Sequence, residues 1–448
     1  MQWKRLLEVR TMQSSNRVHT FIEEVCEQIC WKKSHKIVSK ELENHIEDQF
    51  EENIKLGMSE DEATEKAIEE MGNGTVIGLE LNEIHRPKSQ WKLILTFIFL
   101  SLGGLFLRYQ YLSNLPIPYY YIGDLRFTIV GIVIMVLAYY INLSTLLKNT
   151  KLIYIVTFVI TILLMIPIGK YNGAYTLAMR FVVFYPLVFV LVVYSQRGRG
   201  YEGYIRSILL MLPLLILALL VRYSSALLLF GISILVILAY ALKEEWFKTP
   251  KIESFIILII SIIFISVFLF LVYKLLFPQY IEEVVYNKNL LLGNTHPFAL
   301  VYQTALSGSK FIGRGEFTGG AESLPMYETN GFLTYLILKL GWIFFVFLLV
   351  LIVSFAYGIF KLSKRYNTKF GNYISLSIIS TFVLQFMLYA LFNLGIGFFP
   401  PLSLPFISYG STLQLVNFLL LGILLSTFRH SGIIEDILPD QKKSRTVS

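Results

Sequence analysis

From Trp91 to the neighbourhood of Arg429 the chain is a succession of apolar runs separated by short polar breaks, whereas before Trp91 apolar positions recur only at helical spacing between charges. In that first stretch Phe21, Val25 and Ile29, then Ile37, Leu42, Ile46, Phe50 and Ile54, mark one face of successive amphipathic helices. Gly57 reads as a C-cap, and Ser59-Glu60-Asp61-Glu62 as a capping box opening a helix that ends at Gly72-Asn73-Gly74. Beyond Trp91 the relevant ruler is the bilayer, which a helix crosses with about 20 apolar residues. Ten runs meet it: 91–108, 126–143, 152–169, 180–196, 206–221, 224–242, 253–276, 331–360, 372–392 and 408–428. The pattern predicts an all-α polytopic membrane bundle of about ten transmembrane helices behind a small cytosolic helical domain, residues 1–90.

Charge orients these spans. Residues 1–90 hold 12 basic and 18 acidic residues out of totals of 39 and 31, so the basic excess belongs to the apolar part. Basic clusters follow the second span (Lys148, Lys151), the fourth (Arg197, Arg199, Arg206), the sixth (Lys243, Lys248, Lys251), the eighth (Lys361, Lys364, Arg365, Lys369) and the tenth (Lys442, Lys443, Arg445). All fall on one side, which the positive-inside rule makes the cytoplasm, with both termini and the 431–448 tail inside. Arg180 and Arg222, at or near helix ends, read as snorkelling cations. A nucleic-acid partner would require a basic soluble face, and the soluble part is acidic. With 55% hydrophobic and 16% charged residues, a single soluble globule and a disordered chain are both excluded. Cys26 and Cys30 offer neither a disulfide framework nor zinc spacing and read as reduced thiols on a cytosolic helix.

One long outer loop remains, 278–330, and in a compact protein a loop of that length is functional or disordered. Pro297-Phe298-Ala299-Leu300-Val301-Tyr302 within it looks folded, which points to function. A second irregular segment, Asn393 to Pro400 and then Leu404-Pro405-Phe406-Ile407-Ser408-Tyr409-Gly410-Ser411-Thr412, is broken by Pro and Gly at membrane depth. Such backbone is tolerated only against protein or a wet cavity. Here it either packs as a re-entrant hairpin or meets a polar ligand through Ser408, Ser411 and the start of the last helix.

This string resembles the SEDS family (shape, elongation, division and sporulation), whose members include rod-shape and septal glycan polymerases. Residues 405–410 match the family's Pro-Phe-Ile-Ser-Tyr-Gly, with Ser411 in place of its second Gly. Gln303 to Gly315 is similar to the family's Gly-rich segment, Asn172-Gly173-Ala174 to its Asn-Gly-Ala, and Leu324-Pro325 with Thr329 and Gly341 to its stretch leading into a helix. The likeness spans residues 91–430, and Gly57 to Gly72 resembles a permease prefix domain. The resemblance implies a multi-pass protein of the bacterial cytoplasmic membrane in cell division or cell shape. It implies glycosyl transfer from undecaprenyl-linked lipid II, with a class B penicillin-binding protein as partner.

The family works through an acidic residue in the large loop. A glycan hydroxyl must lose its proton as it attacks an anomeric carbon bearing a diphosphate, and a carboxylate can take that proton or hold a divalent cation. Here the family's Asp position is Asn330, the fourth-span Pro-Ser-Glu reads Tyr185-Pro186-Leu187, and an acid has become Arg222. Glu328 and Glu322 are the candidate substitutes among the outer acids, which also include Asp124 and Glu316. Arg314, at the family's basic position, and Lys310 are candidates for the diphosphate. Ser408, Tyr409, Ser411 and Asn393 complete the candidate binding set, and whether a divalent cation takes part stays open. Three readings stand: a working glycosyltransferase, a catalytically degenerate lipid-binding or partner-scaffold protein, and a lipid flippase or transporter.

Overall fold

The computed structural model describes residues 16–85, 90–112, 118–141, 143–166, 170–171, 174–276, 297–366, 368–396, 400–407 and 411–429. Its contacts divide into two compact units between Ser89 and Gln90. The N-terminal unit comprises α1 (16–27), α2 (Lys32–Lys55), α3 (Glu60–Met71) and α4 (Gly74–His85). Phe21, Val25, Ile29, Val38, Leu42, Ile46 and Ala67 form its core. Ser59 caps α3: its hydroxyl accepts from the Glu62 amide at 3.4 Å while the Glu62 carboxylate accepts from the Ser59 amide at 3.2 Å. That bonding holds the Glu62 carboxyl below its ordinary range. Gly72 closes α3 with φ +91, and the chain then re-enters a helix, α4, where the sequence pattern had ended. Asn73 explains the restart, since its side chain accepts the amides of Thr75 and Val76 at 2.9 and 3.2 Å.

The second unit is an all-α membrane bundle. It runs α5 (Trp91–Leu112), α6 (Pro118–Tyr139), α7 (Leu143–Lys148) and α8 (Thr150–Met165), then a two-residue hairpin of β1 (Lys170–Tyr171) and β2 (Ala174–Tyr175). Five helices follow: α9 (Thr176–Val182), α10 (Tyr185–Ser195), α11 (Gly200–Leu220), α12 (Ser224–Lys243) and α13 (Lys251–Leu276). The chain closes with α14 (Pro297–Ser307), α15 (Phe332–Leu340), α16 (Trp342–Tyr366), α17 (Lys369–Asn393) and α18 (Ser411–Arg429). Among the described residues seven helices are long and apolar enough to cross a bilayer, and the bent pair α9–α10 makes an eighth. The other two expected spans fall on α6 and on α8, an apolar helix of 16 residues.

Two departures from the expected spans have identifiable causes. Residues 180–196 do not form one straight helix: α9 and α10 meet at 41°, and Pro186, which lacks an amide hydrogen, sits in the first turn of α10. Residues 331–360 are not one span either. Gly341 adopts φ +97, and a Cβ there would lie 2.5 Å from the Phe311 carbonyl oxygen, so the chain breaks into a short α15 and a spanning α16.

Burial sorts the helices. Every residue of α10 from Tyr185 to Tyr194 is buried, as expected of a helix apolar all round and central to the bundle, whereas α13 and α16 turn mostly exposed apolar side chains outward. The segment 400–407 lies within the bundle. Gly104 lets α5 approach it, because a Cβ there would fall 2.5 Å from the Phe406 carbonyl oxygen. Phe406 itself takes φ +64, a strained backbone held by ring contacts to Phe97, Phe382 and Phe418 at 5.8, 5.7 and 5.2 Å.

Candidate functional site

The site is assembled on α17. Tyr373, Ser377, Thr381, Gln385, Tyr389 and Asn393 recur at every fourth position and all are buried, a polar ridge along the helix. Its C-terminal half holds two irregular segments. The Gln385 amide donates to the Ser403 carbonyl at 2.8 Å, the Tyr389 hydroxyl to the Thr329 carbonyl at 3.2 Å, and the Asn393 amide to the Asn330 carbonyl at 2.9 Å. Asn393 also accepts, through Oδ1, from the Thr334 amide and hydroxyl, each at 3.0 Å. A buried amide in hydrocarbon must satisfy its donors and acceptor internally, and this one does so by fixing the start of α15 against the end of α17.

Among the described residues the loop beside this ridge begins with α14, whose buried Tyr302 donates its hydroxyl to the Pro325 carbonyl at 2.8 Å. Burial first, then the neighbouring Tyr389 and Glu328, push the Tyr302 hydroxyl pKa up, so it remains a donor. Next comes the Gly-rich stretch, and its glycines are explained by packing. The Gly313 and Gly315 amides donate to the Leu340 and Leu338 carbonyls at 2.9 and 2.8 Å, and the Trp342 amide donates to the Lys310 carbonyl at 3.1 Å. The stretch therefore runs as a splice along the end of α15 and the start of α16.

Two groups of candidate residues emerge. In the first, Lys339 at the end of α15 meets Glu322 at 2.7 Å, with Arg314 near enough to act on the same carboxylate. The Lys339 hydrogen bond is the main cause that holds the Glu322 carboxyl below its ordinary range. Glu322 is thus a charged ion-pair partner and a weak proton acceptor at neutral pH. Arg314 lines a cleft of about 380 Å³ with Gly315, Glu316, Phe317, Gly320 and Leu338. Lys310 contacts Glu316 at 3.8 Å.

In the second group, Glu328 and Asn330 stand half-buried on the turn 326–331. The Asn330 side-chain amide donates to the Met326 sulfur at 3.7 Å, while the Thr329 and Gly331 amides close the turn onto the Met326 carbonyl. Tyr327 links the groups: burial and then the charges of Glu328 and Glu322 raise its hydroxyl pKa, and its ring lies 5.2 Å from that of Tyr335. Ser408 and Tyr409 lie outside the described residues, as do Asn172 and Gly173; Ser411 opens α18.

Two polar residues lie elsewhere than the sequence placed them. Asp124, expected ahead of the second span, belongs to α6, where it is buried against Arg108 at 2.7 Å. Arg180 is turned into the bundle, donating to the Thr412 hydroxyl at 2.7 Å, because a protein acceptor is within reach. Lys339, Thr334 and the role of Tyr302 escaped the sequence reading; the fourfold polar spacing on α17 is the signal that could have pointed to this helix. Among the described residues no group of three or more His, Cys, Asp or Glu side chains could hold a metal ion.

The bundle, with its loop held against α15, α16 and α17, has a solved counterpart. A chain from the structure of a peptidoglycan synthase complex that coordinates polymerization and crosslinking is similar to this one, with a TM-score of 0.57 and 17% identity. The match covers 75% of this chain and 98% of that one. The fold is similar to that of a peptidoglycan synthase subunit. No family model and no curated protein matches the sequence. At that identity the likeness speaks for the fold, and the chain is an integral membrane protein of that architecture.

Proposed function

We propose that this chain is a SEDS-type protein of bacterial cell-wall assembly, seated in the cytoplasmic membrane with both termini inside and the 278–330 loop outside. It binds the diphosphate of undecaprenyl-linked lipid II and serves a class B penicillin-binding protein in division or shape maintenance. The observation that carries this reading is the likeness of fold to a peptidoglycan synthase subunit, which spans almost all of that subunit. Arg314, which lines the cleft of the loop, and Lys339, which shares the Glu322 carboxylate with it, supply the chemistry for phosphate oxygens. Binding without chemistry follows from the carboxylates. The family's acid position carries the Asn330 amide, and Glu322 is engaged by Lys339. A second reading, glycosyl transfer with Glu328 as the base, is favoured by its half-buried place beside Tyr302 and Tyr327.

The test is to give the purified full-length protein labelled lipid II, alone and with a class B penicillin-binding protein, with and without a divalent cation, and to separate products by length. Retention of lipid II without polymer, unchanged in Glu328→Ala, is the expected result. Polymer that vanishes in Glu328→Ala establishes the second reading. Polymer from Asn330→Asp where the parent makes none identifies the amide as the lesion. Flux of lipid II across liposomes, or no binding at all, overturns both.

A further inference from the structure

The turn Lys310-Phe311-Ile312-Gly313-Arg314 presents two large apolar side chains to the exterior: Phe311 is 65% and Ile312 66% exposed. In water that exposure is unfavourable, and nothing in the turn requires it, since the adjoining glycines are set by their bonds to α15. The turn is fixed relative to α16. The Trp342 amide donates to the Lys310 carbonyl at 3.1 Å and the Ile343 amide to the Phe311 carbonyl at 3.0 Å, so the turn lies against the first residues of α16. The spanning part of α16, Trp342–Lys364, has 23 residues. At 1.5 Å per residue it measures about 34 Å, close to the roughly 30 Å of hydrocarbon in a bilayer. Its first turn therefore stands at the membrane surface, where Trp342 is the residue type expected.

We infer that Phe311 and Ile312 are inserted among the lipid headgroups of the protein's own bilayer, with Lys310 and Arg314 facing the phosphates. Two observations select lipid as the occupant. The apolar pair continues the lipid-facing surface of α16, where Ile343, Val346 and Phe347 are exposed. The polar groups around it, Lys310, Arg314 and Lys339 against Glu316 and Glu322, carry one positive charge in excess, which suits an anionic surface. Insertion fixes the Arg314 cleft at phosphate depth. The inference needs only a membrane-spanning α16 and holds on whichever side the loop lies and whether or not lipid II is the ligand.

The test uses the full-length protein with Cys26→Ser and Cys30→Ser, carrying Ile312→Cys or, independently, Phe311→Cys, labelled with an environment-sensitive dye and reconstituted in vesicles of phosphatidylcholine and phosphatidylglycerol. Glu65→Cys, at a side chain 75% exposed in the N-terminal unit, is the aqueous control, with iodide on both sides of the vesicle membrane. Insertion to about 5–10 Å predicts roughly twofold stronger quenching by lipid carrying a nitroxide high on its acyl chain than near the chain end, with aqueous iodide quenching weaker than at the control. Iodide quenching equal to the control, with no quenching by lipid, overturns the inference. Shielding from both quenchers also overturns it, since protein then covers the turn. Lys310→Gln is expected to reduce the extra lipid quenching that phosphatidylglycerol brings over phosphatidylcholine alone; an unchanged gain refutes the charge argument.

Discussion

Arg108 and Asp124 form a buried ion pair, 2.7 Å apart with side chains 7% and 5% exposed, between the loop-side ends of α5 and α6. The Arg108 guanidinium also lies 5.6 Å from the Phe332 ring, at the start of the helix that carries the candidate site's turn. Taking one partner away leaves a desolvated charge, which typically costs about 3–5 kcal/mol, whereas replacing both with apolar groups of similar volume is often neutral or stabilising. Asp124→Asn keeps the shape and removes the charge, so it isolates this term. Soluble-domain scaling converts a loss of that size to a fall in Tm on the order of 10 °C. The measurement is a thermal melt of the detergent-purified protein for Asp124→Asn, Arg108→Met and Arg108→Met with Asp124→Leu. The two single changes are expected to be severe and the double change closer to the parent than either. A double change as damaging as the sum of the singles would refute the argument, because the loss would then come from packing and not from an orphaned charge.

Asn393→Asp replaces the donor that bonds the Asn330 and Tyr389 carbonyls with an acceptor while keeping its shape, so two oxygens face an oxygen. A loss of about 1–3 kcal/mol is expected with little change at distant helices, read by melts and by faster protease cleavage in residues 324–331. The Glu322–Lys339 pair gives a small pH dependence. Because the folded carboxyl titrates below its ordinary 4.5, its stabilising effect is full above that value and is lost as the pH falls through the lowered one. The Tm difference between the parent and Glu322→Gln is therefore expected to be constant near neutrality and to shrink below pH 4.5; growth of the difference on acidification would contradict the pairing.

Legibility differed between fold and site. The spans were readable because a bilayer imposes one requirement on every crossing segment, and a run such as Glu253–Leu276 satisfies it with no help from its neighbours. The Ser59–Glu62 capping box was readable for the same reason, its partners being three residues apart. Glu322 and Glu328, by contrast, look alike as letters. Only a lysine 17 positions further on, brought round by α15, engages the first and leaves the second beside two tyrosine rings.

By itself, then, the sequence determined composition, helical periodicity and the apolar lengths that commit this chain to a membrane, all of them properties of contiguous residues. Tertiary structure alone decided where the helices break, what the glycines between Gly308 and Gly315 are for, and which carboxylate is neutralised. Gly341 breaks a span only because the Phe311 carbonyl, thirty positions earlier in the chain, packs 2.5 Å from where its Cβ would stand. Asp124 is a structural charge only because Arg108 on the neighbouring helix reaches it. Such pairings depend on how segments distant in sequence meet, and their energies are set by the burial that meeting creates.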